Sequence, residues 1–564
     1  MIPSEIKHCQ NCKKDFVIEP DDFAFYEKMK VPAPTFCPDC RMQRRFSWRN
    51  EWKLMRKKDI HGKEIFSGFH EESPVKIMEV AEWYSDSWDP LEFGREYDFS
   101  QPFFKQFKEL LYEVPLLSRS LSKPVNSDYC MNATEPKDCY LSFGLSYIEN
   151  SVHSVWGAKS KDIFDCHNFN ESELCYDCVD ITKCYKTLYS VSCEGCSEVM
   201  FCKNCFGCNN CFGCTNLKNK SYYIFNQDYS KEDYIKKVKE LGVTKRSNVE
   251  NSRKKSIEHW AQFPNKFIHG RHNTNVLGDY ILNSKDAKNC WRIIGAENVK
   301  YCQNFTNGPT KDSYDHSNFS DGSELIYESL IVGTGAYNVA FSFQCYPSNT
   351  NLRYCCFCQN SSNLFGCISL RNKQYCILNK QYTKEEYEAL VPKIIEHMKS
   401  TGEYGEFFPM EMSPMAYNES FAYEHFPLTK EEVEQRRLVW REPKEKNFTS
   451  TMASDDVPDD IANVDESITR EVIKCAHEGK CSHECVGVFK IAHQELQFHK
   501  LLNIPLPRIC QNCRHYSRFA WRNPAKLWHR KCMKPGCENE FETSYAPDRP
   551  EIVYCENCYN QEVA

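Results

Sequence analysis

Two pairs of cysteines near the amino terminus have the spacing of a metal site. Cys9 and Cys12 form one Cys-x2-Cys pair, and Cys37 and Cys40 form a second pair after 24 intervening residues. Two tight turns of this kind can bring four thiolates to one tetrahedral Zn²⁺ at about 2.3 Å. Four thiolates leave zinc no open coordination position, so we predict a structural site that does not activate water.

A related set of ligands occurs near the carboxyl terminus. Residues 10–54 recur there at an offset of 473, and Cys510 and Cys513 take the places of the second cysteine pair. Ser482 stands where the offset places Cys9, so the first turn differs between the two copies. We predict a second zinc site formed by Cys481, Cys485, Cys510 and Cys513, with Cys475, His477 and His483 open as alternatives to Cys481.

A third cysteine set follows with Cys-x4-Cys and Cys-x2-Cys spacing, which is typical of a separate zinc ribbon. Its members are Cys532, Cys537, Cys555 and Cys558. The corresponding amino-terminal stretch, residues 58–124, contains no cysteine. We therefore predict a degenerate, metal-free ribbon there, followed by an amphipathic helix that begins near Phe103. The expected cofactor is Zn²⁺, at about three structural sites.

The central region holds 21 of the 34 cysteines, and their role is a separate question. One run repeats every three residues and superficially resembles the cysteine run of ferredoxins: Cys202, Cys205, Cys208, Cys211 and Cys214. An internal duplication argues against a cluster, because Cys175 and Cys211 align with Ile326 and Leu364. Small buried packing sites tolerate such replacements and thiolate ligands do not. We favour packing, with additional zinc and then an iron–sulfur cluster as alternatives.

Basic side chains recur every four residues after the second cysteine pair of each ribbon. A helix would place them along one side, beside a tryptophan. This arrangement predicts a surface for phosphate contact and base stacking in RNA or DNA. Its residues are Arg41, Arg45, Arg49 and Trp48, with their copies Arg514, Arg518, Arg522 and Trp521. The alternative is a solvated face, or a face that pairs with acidic residues of the same chain.

The central region is an internal duplication, in which the segment from Phe212 aligns with the segment from Phe365. Within each copy, short β-prone pieces recur every 11–12 residues and are separated by Asn, Asp, Ser and Gly. Pieces too small to bury a face alone favour two stacked β-solenoid modules with shared ladders. Each copy ends in a predicted helix, N-capped by Ser230 or Thr383, which would cap the open end.

The 564 residues are expected to fold as several domains with a mainly β architecture: two tandem β-solenoid-like repeat modules with helical caps, flanked by zinc ribbons at both termini. The predicted divisions are a zinc ribbon (1–57), the degenerate ribbon with a helix (58–124), module 1 (125–245), module 2 (246–400), a linker (401–470), a zinc ribbon (471–531) and a second carboxyl-terminal ribbon (532–564). The linker is rich in Pro, Met and Asp, and one helix is predicted from about Lys430 to Trp440.

Composition limits the classes of protein. The net charge of −7 argues against a dedicated nucleic-acid coat, and the 26% of charged residues argues against several membrane spans. Neither a signal-peptide pattern nor a run of about 18 apolar residues is visible, so we expect a cytoplasmic protein with reduced thiols and no membrane partner.

Catalytic motifs are not evident: we find no Walker A loop, no G-x-S-x-G elbow and no H-E-x-x-H pair. The leading hypothesis is therefore a non-enzymatic, zinc-stabilised scaffold that presents an extended solenoid face to a protein partner. A nucleic-acid-associated ribbon protein is the first alternative, and a protein that uses the central thiols for redox or metal handling is the second.

Several longer motifs carry a resemblance to a known family. They are VPAP-x-x-CPDCR with a following WRNEW, the run WDPLEFGREYDFSQPFF, the segment NCFGC-x-NLKNKSYYIFN and the segment FETSYAPDRPEIVYCENC. Together they resemble an uncharacterised family of bacterial zinc-ribbon proteins from uncultivated lineages, and the resemblance spans most of the chain. Members sometimes carry an acyl-CoA transferase label, but no residue here connects to CoA chemistry. The resemblance implies zinc ribbons and no established activity.

Overall fold

The computed structural model describes residues 3–305, 308–442 and 448–563, and it consists mainly of short strands. The two largest sheets among these residues contain nine and thirteen strands. Helices lie at the ends of the modules and in the terminal regions. Within the described residues, no helix has both the length and the apolar character needed to cross a bilayer. The chain is thus a mainly β, multidomain protein.

The amino-terminal region contains small antiparallel hairpins and short helices. The first hairpin and two helices carry the first cysteine set: strands Glu5–His8 and Asp15–Ile18, helices Pro20–Met29 and Pro38–Phe46. The next part contains strands Met55–Lys58, Glu64–Ser67, Ile77–Met78, Leu116–Leu117 and Leu121–Ser122, with helices Val80–Trp83 and Phe103–Glu113. The helix predicted from Phe103 is confirmed, and it buries Phe103, Phe107 and Leu110.

The first module is a stack of parallel strands in which a residue pairs with the residue twelve positions further on. Phe143 pairs with Val155, and Val155 pairs with His167. Its strands are Met131–Thr134, Lys137–Tyr140, Phe143–Val152, Val155–Phe164, His167–Asn170, Glu173–Tyr176, Val179–Thr182, Val191–Glu194, Ser197–Met200, Asn209–Phe212, Ser221–Ile224 and Gln227–Asp228. Only the last of these pairs antiparallel to its neighbour, closing the stack with a hairpin.

Positive backbone φ angles recur every third residue along this stack. Asp177, Asp180 and Lys183 have φ values of 51°, 54° and 52°. Asn and Asp tolerate this left-handed conformation better than most residues, because their short side chains can hydrogen-bond locally. The Asn and Asp residues that separate the β-prone pieces in the sequence therefore bend the chain at short, regular intervals.

The second module repeats the arrangement with offsets that are less uniform. Leu352 pairs with Leu364 twelve residues on, and Glu324 pairs with Tyr337 thirteen residues on. Its strands are Asn265–Lys266, Gly270–Arg271, Thr274–Leu282, Lys285–Ile294, Ala296–Lys300, Gln303–Phe305, Thr310–Ser317, Ser323–Val332, Tyr337–Ala340, Phe343–Cys345, Thr350–Arg353, Ser362–Phe365, Gln374–Ile377 and Lys380–Gln381.

Both predicted terminal helices are confirmed. Helix Lys231–Leu241 follows Ser230, whose hydroxyl accepts the backbone N–H of Asp233 at 3.1 Å. Helix Lys384–Ser400 follows Thr383, which forms a capping box with Glu386. Such caps satisfy amide groups that the first helical turn leaves unpaired. A further helix, Arg246–Trp260, packs into the hydrophobic cluster of the first module.

The described parts of residues 401–470, which are 401–442 and 448–470, contribute buried apolar side chains to two clusters, whereas we expected an extended linker. Phe407 and Phe408 are fully buried in one cluster with the amino-terminal ribbon, and Ile461 and Ile468 are buried against the carboxyl-terminal ribbon. The helices here are Phe421–His425 and Lys430–Gln435, the second of which starts at the predicted residue and ends earlier. The Pro- and Met-rich composition therefore reflects irregular backbone that packs through its apolar side chains.

The carboxyl-terminal region repeats the small hairpins and helices of the amino-terminal region. Its strands are Ile473–Lys474, Val488–Phe489, Trp528–Lys531, Glu540–Thr543 and Val553–Tyr554, and its helices are His493–Leu502, Gln511–Phe519 and Glu556–Glu562. Strand Val553–Tyr554 pairs in parallel with Asn265–Lys266 at the start of the second module. The region is therefore joined to the central modules through the backbone as well as through side chains.

Candidate metal centres

Three groups of four cysteines each bring their sulfur atoms within 4.8 Å of one another. They are Cys9, Cys12, Cys37 and Cys40; Cys475, Cys485, Cys510 and Cys513; and Cys532, Cys537, Cys555 and Cys558. Measured Sγ–Sγ distances are 3.7 Å for Cys12 and Cys37, and 3.9 Å for Cys537 and Cys555. A tetrahedral Zn²⁺ with bonds of about 2.3 Å holds its sulfur ligands about 3.8 Å apart. Each group is therefore able to hold one metal ion.

The three groups share one local structure. Cys37, Cys510 and Cys555 are the N-cap residues of the helices that begin at the next residue. The backbone N–H of each donates to the sulfur of the first cysteine in its group, at 3.2, 3.2 and 3.3 Å. Cysteine at a helix N-terminus lies close to unpaired amides and the positive end of the helix dipole. The helices therefore position the ligands.

One thiol in each group has a lowered pKa. Burial raises the pKa of Cys9, but backbone N–H donors from Cys37 and neighbouring residues outweigh it and bring the pKa to about 7. Contact with Cys475 lowers the pKa of Cys510 to about 4. The pKa of Cys555 falls to about 6, because hydrogen bonds led by the Asn539 side chain outweigh burial. Two further thiols in each group have raised pKa values, because burial and the neighbouring cysteines disfavour additional negative charge. A bound cation would offset this repulsion between thiolates.

The fourth ligand of the second group is Cys475, which corrects our choice of Cys481. Cys475 accepts the N–H of Cys510 as Cys9 accepts that of Cys37, so Cys475 is the counterpart of Cys9. Cys475 and Cys485 are separated by nine residues, whereas two separate the amino-terminal pair. A constant sequence offset cannot align the two turns across this insertion. Cys481 instead joins His477, His483 and Cys513 in a fourth group.

In the region predicted to be a metal-free ribbon, a carboxylate closes the turn. Strands Met55–Lys58 and Glu64–Ser67 form the hairpin that corresponds to Trp528–Lys531 and Glu540–Thr543. Asp59 Oδ1 accepts the backbone N–H groups of His61 and Lys63, both at 2.9 Å. A hydrogen-bonded Asp turn is a common substitute for other ways of fixing a tight turn. Both regions therefore contain an antiparallel hairpin, of which only the carboxyl-terminal one carries cysteines.

The predicted nucleic-acid surface is wrong, because seven of its eight residues are buried inside the protein and the eighth, Trp521, is half-buried. The side chain of Arg45 has 0% exposure and that of Arg41 has 1%. Arg41 Nη2 lies 2.8 Å from Asp315 Oδ2, and Arg45 Nη1 lies 3.2 Å from Asp315 Oδ1. Trp48 is also buried and donates from Nε1 to the carbonyl of Pro409 at 3.3 Å. None of these three side chains is accessible to a phosphate or a base.

The carboxyl-terminal copy is buried in the same way. Arg518 Nη1 lies 2.8 Å from Asp165 Oδ1, and Arg514 contacts the same carboxylate. Although burial opposes it, the Asp165 and Glu495 carboxylates raise the pKa of Arg514.

The remaining residues of the predicted surface also pack internally. Arg49 pairs with Glu51 at 3.2 Å. The Arg522 guanidinium lies 4.6 Å from the ring centre of Trp156, and Trp521 packs edge-on against Trp260. Ion pairing within the chain, the alternative prediction, therefore describes these arginines better. Their carboxylate partners lie outside residues 401–470.

Sequence reasoning missed the two aspartates that receive the arginines. Asp165 and Asp315 occupy the same place in the duplicated segments KDIFDCHNF and KDSYDHSNF. Helix Gln511–Phe519 contacts strand His167–Asn170 of the first module, and helix Pro38–Phe46 contacts strand Thr310–Ser317 of the second. Because both the arginines and the aspartates are duplicated, the sequence contained a sign that they pair with each other. Their order along the chain gave no indication that each ribbon docks on the more distant module.

The cysteines of the modules are buried hydrogen-bond donors. Cys178 Sγ donates to the carbonyls of Tyr176 and Thr187 at 3.3 and 3.2 Å. Ser154, at the equivalent place two strands earlier, donates to two carbonyls in the same pattern. Burial raises the pKa of Cys130 to about 12, which keeps that thiol protonated. This geometry agrees with the packing interpretation, in which small side chains fill a narrow interior.

Comparison with known proteins adds no family assignment. No protein-family model and no curated protein matches this chain. The zinc-ribbon family resemblance stays an expectation from the sequence, and the function must be argued from the geometry.

Proposed function

We propose that the chain is a non-enzymatic scaffold, stabilised by structural zinc ions, in which two β-solenoid modules form one binding platform. The observation that carries this proposal is the exchanged docking of the two ribbons. The amino-terminal ribbon inserts arginines against Asp315 of the second module, and the carboxyl-terminal ribbon inserts arginines against Asp165 of the first. Ribbons used in this way hold the modules together.

Zinc is the metal best suited to the three cysteine groups. Sulfur-only sets of four ligands at tetrahedral spacing are typical of structural zinc. Because all four positions are occupied by protein, such a site has no place for a water or a substrate. The expected role is stabilisation, since zinc binding to a small ribbon supplies part of its folding free energy.

The solenoid interpretation is supported by the pairing register. Successive strands are parallel and separated by about one twelve-residue unit, as in the pairs of Ser151 with Ile163 and Ile163 with Cys175. The helices Lys231–Leu241 and Lys384–Ser400 contact the terminal parallel strands of their modules. A solenoid turn of twelve residues explains the repeat length. A helix packed on the last parallel strand explains how the open edge of the stack is covered.

Each module has one row of in-register side chains at its surface, and the two rows match in sequence. We call this row the stripe of the module and assign this face to a protein partner. In the first module the side chains in register are Lys137, Glu149, Lys161, Glu173 and Tyr185, and in the second they are Lys285, Glu297, Lys311, Glu324 and Tyr337. The charges alternate, with Lys137 and Lys161 at 3.4 and 3.5 Å from Glu149. Tyr185 and Tyr337 are each 45% exposed at the end of the stripe. Exposed tyrosines are frequent anchors in protein interfaces.

Metal removal tests the scaffold role in the intact chain. Chelation should increase amide hydrogen exchange in the ribbons and also in strands His167–Asn170 and Thr310–Ser317, because those strands contact the docked helices. Strand Gln374–Ile377, which packs beside helix Lys384–Ser400, serves as an internal control. Readdition of Zn²⁺ should restore protection. Full protection of both module strands after complete metal loss would contradict the proposal.

Partner binding is tested by a matched pair of variants. A protein that crosslinks to the wild-type chain through the stripe should be lost from the double variant Tyr185→Ala/Tyr337→Ala. It should be retained by Tyr147→Ala, which removes an exposed tyrosine outside the stripe. If the crosslinked protein were lost equally from both variants, the stripe would not be its binding site.

A further inference from the structure

The insertion in the carboxyl-terminal ribbon carries a second set of ligands. His477, Cys481 and His483 lie between the two cysteines of the first turn, and with Cys513 they bring four ligand atoms within 4.8 Å of one another. The amino-terminal ribbon has no such insertion and forms its four-cysteine group without it. A four-cysteine site therefore does not need these residues.

Cys513 belongs to both groups. Its sulfur lies 3.9 Å from Cys475 Sγ in the first group and 3.6 Å from Cys481 Sγ in the second. Both distances are close to the ligand spacing of about 3.8 Å expected around tetrahedral zinc. The equivalent sulfur in the amino-terminal ribbon, Cys40, instead accepts a hydrogen bond from the Asn11 amide at 3.2 Å.

The two histidines have buried nitrogen atoms without hydrogen-bond partners among the described residues. These atoms are Nδ1 of His477 and Nδ1 of His483. A buried polar atom without a partner destabilises the folded state, so two of them in neighbouring rings need an explanation. The neutral imidazole nitrogen is a common ligand of zinc, and coordination would satisfy both. Tyr516 stacks on the His483 ring with an interplanar angle of 17°, which fixes the orientation of that ligand.

We propose that this ribbon holds two metal ions bridged by the Cys513 thiolate. One ion is coordinated by Cys475, Cys485, Cys510 and Cys513, and the other by His477, Cys481, His483 and Cys513. Sharing one sulfur gives each ion four ligands from seven side chains. Five thiolates against two divalent ions leave a net charge of −1, compared with −2 for a single ion with four thiolates. The bridge therefore reduces the charge buried in the ribbon.

Metal stoichiometry of the full-length chain is the first test. Elemental analysis should find four zinc ions per chain in the wild type and three in Cys481→Ser. The variant His477→Ala/His483→Ala provides a second route to the same result if Cys481→Ser folds poorly. His493→Ala, which removes an exposed histidine of the same ribbon, should retain four. Three ions in the wild type, or an unchanged count in both ligand variants, would overturn the proposal.

Cadmium-113 exchange of the same protein tests the bridge itself. Two ions that share a sulfur should give two resonances with a mutual scalar coupling, and the coupling should disappear in Cys481→Ser while the resonance of the four-cysteine site remains. Four metal ions without any cadmium–cadmium coupling would exclude the bridge. Failure of this inference would leave the three cysteine groups and the proposed scaffold intact, since neither depends on the second ion.

Discussion

Arg518 and Asp165 form a buried ion pair between residues 353 positions apart, with Nη1 of the arginine 2.8 Å from Oδ1 of the aspartate. Arg45 and Asp315 form the corresponding pair in the other half of the molecule at 3.2 Å. The arginine helix of each of these two ribbons thus pairs with the module that is more distant in the sequence. The two halves are joined through contacts made by both termini.

Loss of the Arg518 side chain should undock the carboxyl-terminal ribbon. Arg518→Ala leaves Asp165 buried with only Arg514 as an ion-pair partner, and breaking a buried pair costs about 3–5 kcal/mol. We expect faster hydrogen exchange in helix Gln511–Phe519 and in the strand it contacts. Lys526→Ala, which removes an exposed cation beyond the end of this helix, should leave exchange unchanged. Equal protection in wild type and Arg518→Ala would show that the pair does not hold the ribbon.

Nucleic-acid binding by the arginine stripes should be absent in the folded protein. The guanidinium groups of Arg45 and Arg518 already pair with carboxylates and are closed to solvent. Fluorescence anisotropy with single-stranded RNA at about 50 mM salt, where phosphate contacts are strongest, should therefore detect no binding that depends on these residues. Tight, salt-dependent binding that Arg45→Ala abolishes without unfolding the chain would contradict the burial seen here.

The module cysteines should be exchangeable for serine without loss of metal. Cys178→Ser places an oxygen at a position that serine already occupies in other repeats of the same module, at Ser154 and Ser190, so we expect a stability change within about 1 kcal/mol. Cys178→Leu adds volume to a filled interior and should cost about 1–3 kcal/mol. Chemical denaturation with elemental analysis measures both effects. A lower metal content in Cys178→Ser would indicate that this thiol is a ligand.

Stability should fall as the pH rises through the titration of Glu328. Burial, followed by repulsion from Glu406, raises the pKa of Glu328 from 4.5 to about 8. A carboxyl group with a raised pKa binds a proton more tightly in the folded state, so its contribution is complete below pH 4.5 and is lost as the pH rises through about 8.

Glu328→Gln removes this titration. Between pH 6 and pH 8.5, the Tm of the wild type should fall by roughly 2–5 °C more than that of the variant. This range lies above the acid conditions in which the cysteine groups would release metal. Glu388→Gln, which replaces an exposed glutamate, should show the same dependence of Tm on pH as the wild type. If the Tm of the wild type and that of Glu328→Gln fell equally with pH, the pH dependence would not come from Glu328.

Local features of this protein follow from the sequence alone. Ser230 and Thr383 mark helix starts because an N-cap hydroxyl satisfies amides within three residues, and that interaction needs no distant partner. Cys-x2-Cys spacing likewise fixes a turn and a ligand pair in one short segment. The strand spacing of about twelve residues is also visible, because Asn and Asp, which tolerate positive φ angles, recur at many of the positions where the chain bends.

Tertiary structure decided what the sequence pattern left open. Cys475 replaces Cys481 in the four-cysteine group because the position of the helix that Cys510 caps, rather than the spacing, selects the ligand. Arg45 and Arg518 are buried because a docked module offers each a carboxylate, and a helical stripe of arginines looks the same in the sequence whether water, phosphate or Asp165 faces it. Spacing determines which side chains share a turn or a helix face, whereas the partner of that face is determined by contacts between residues hundreds of positions apart.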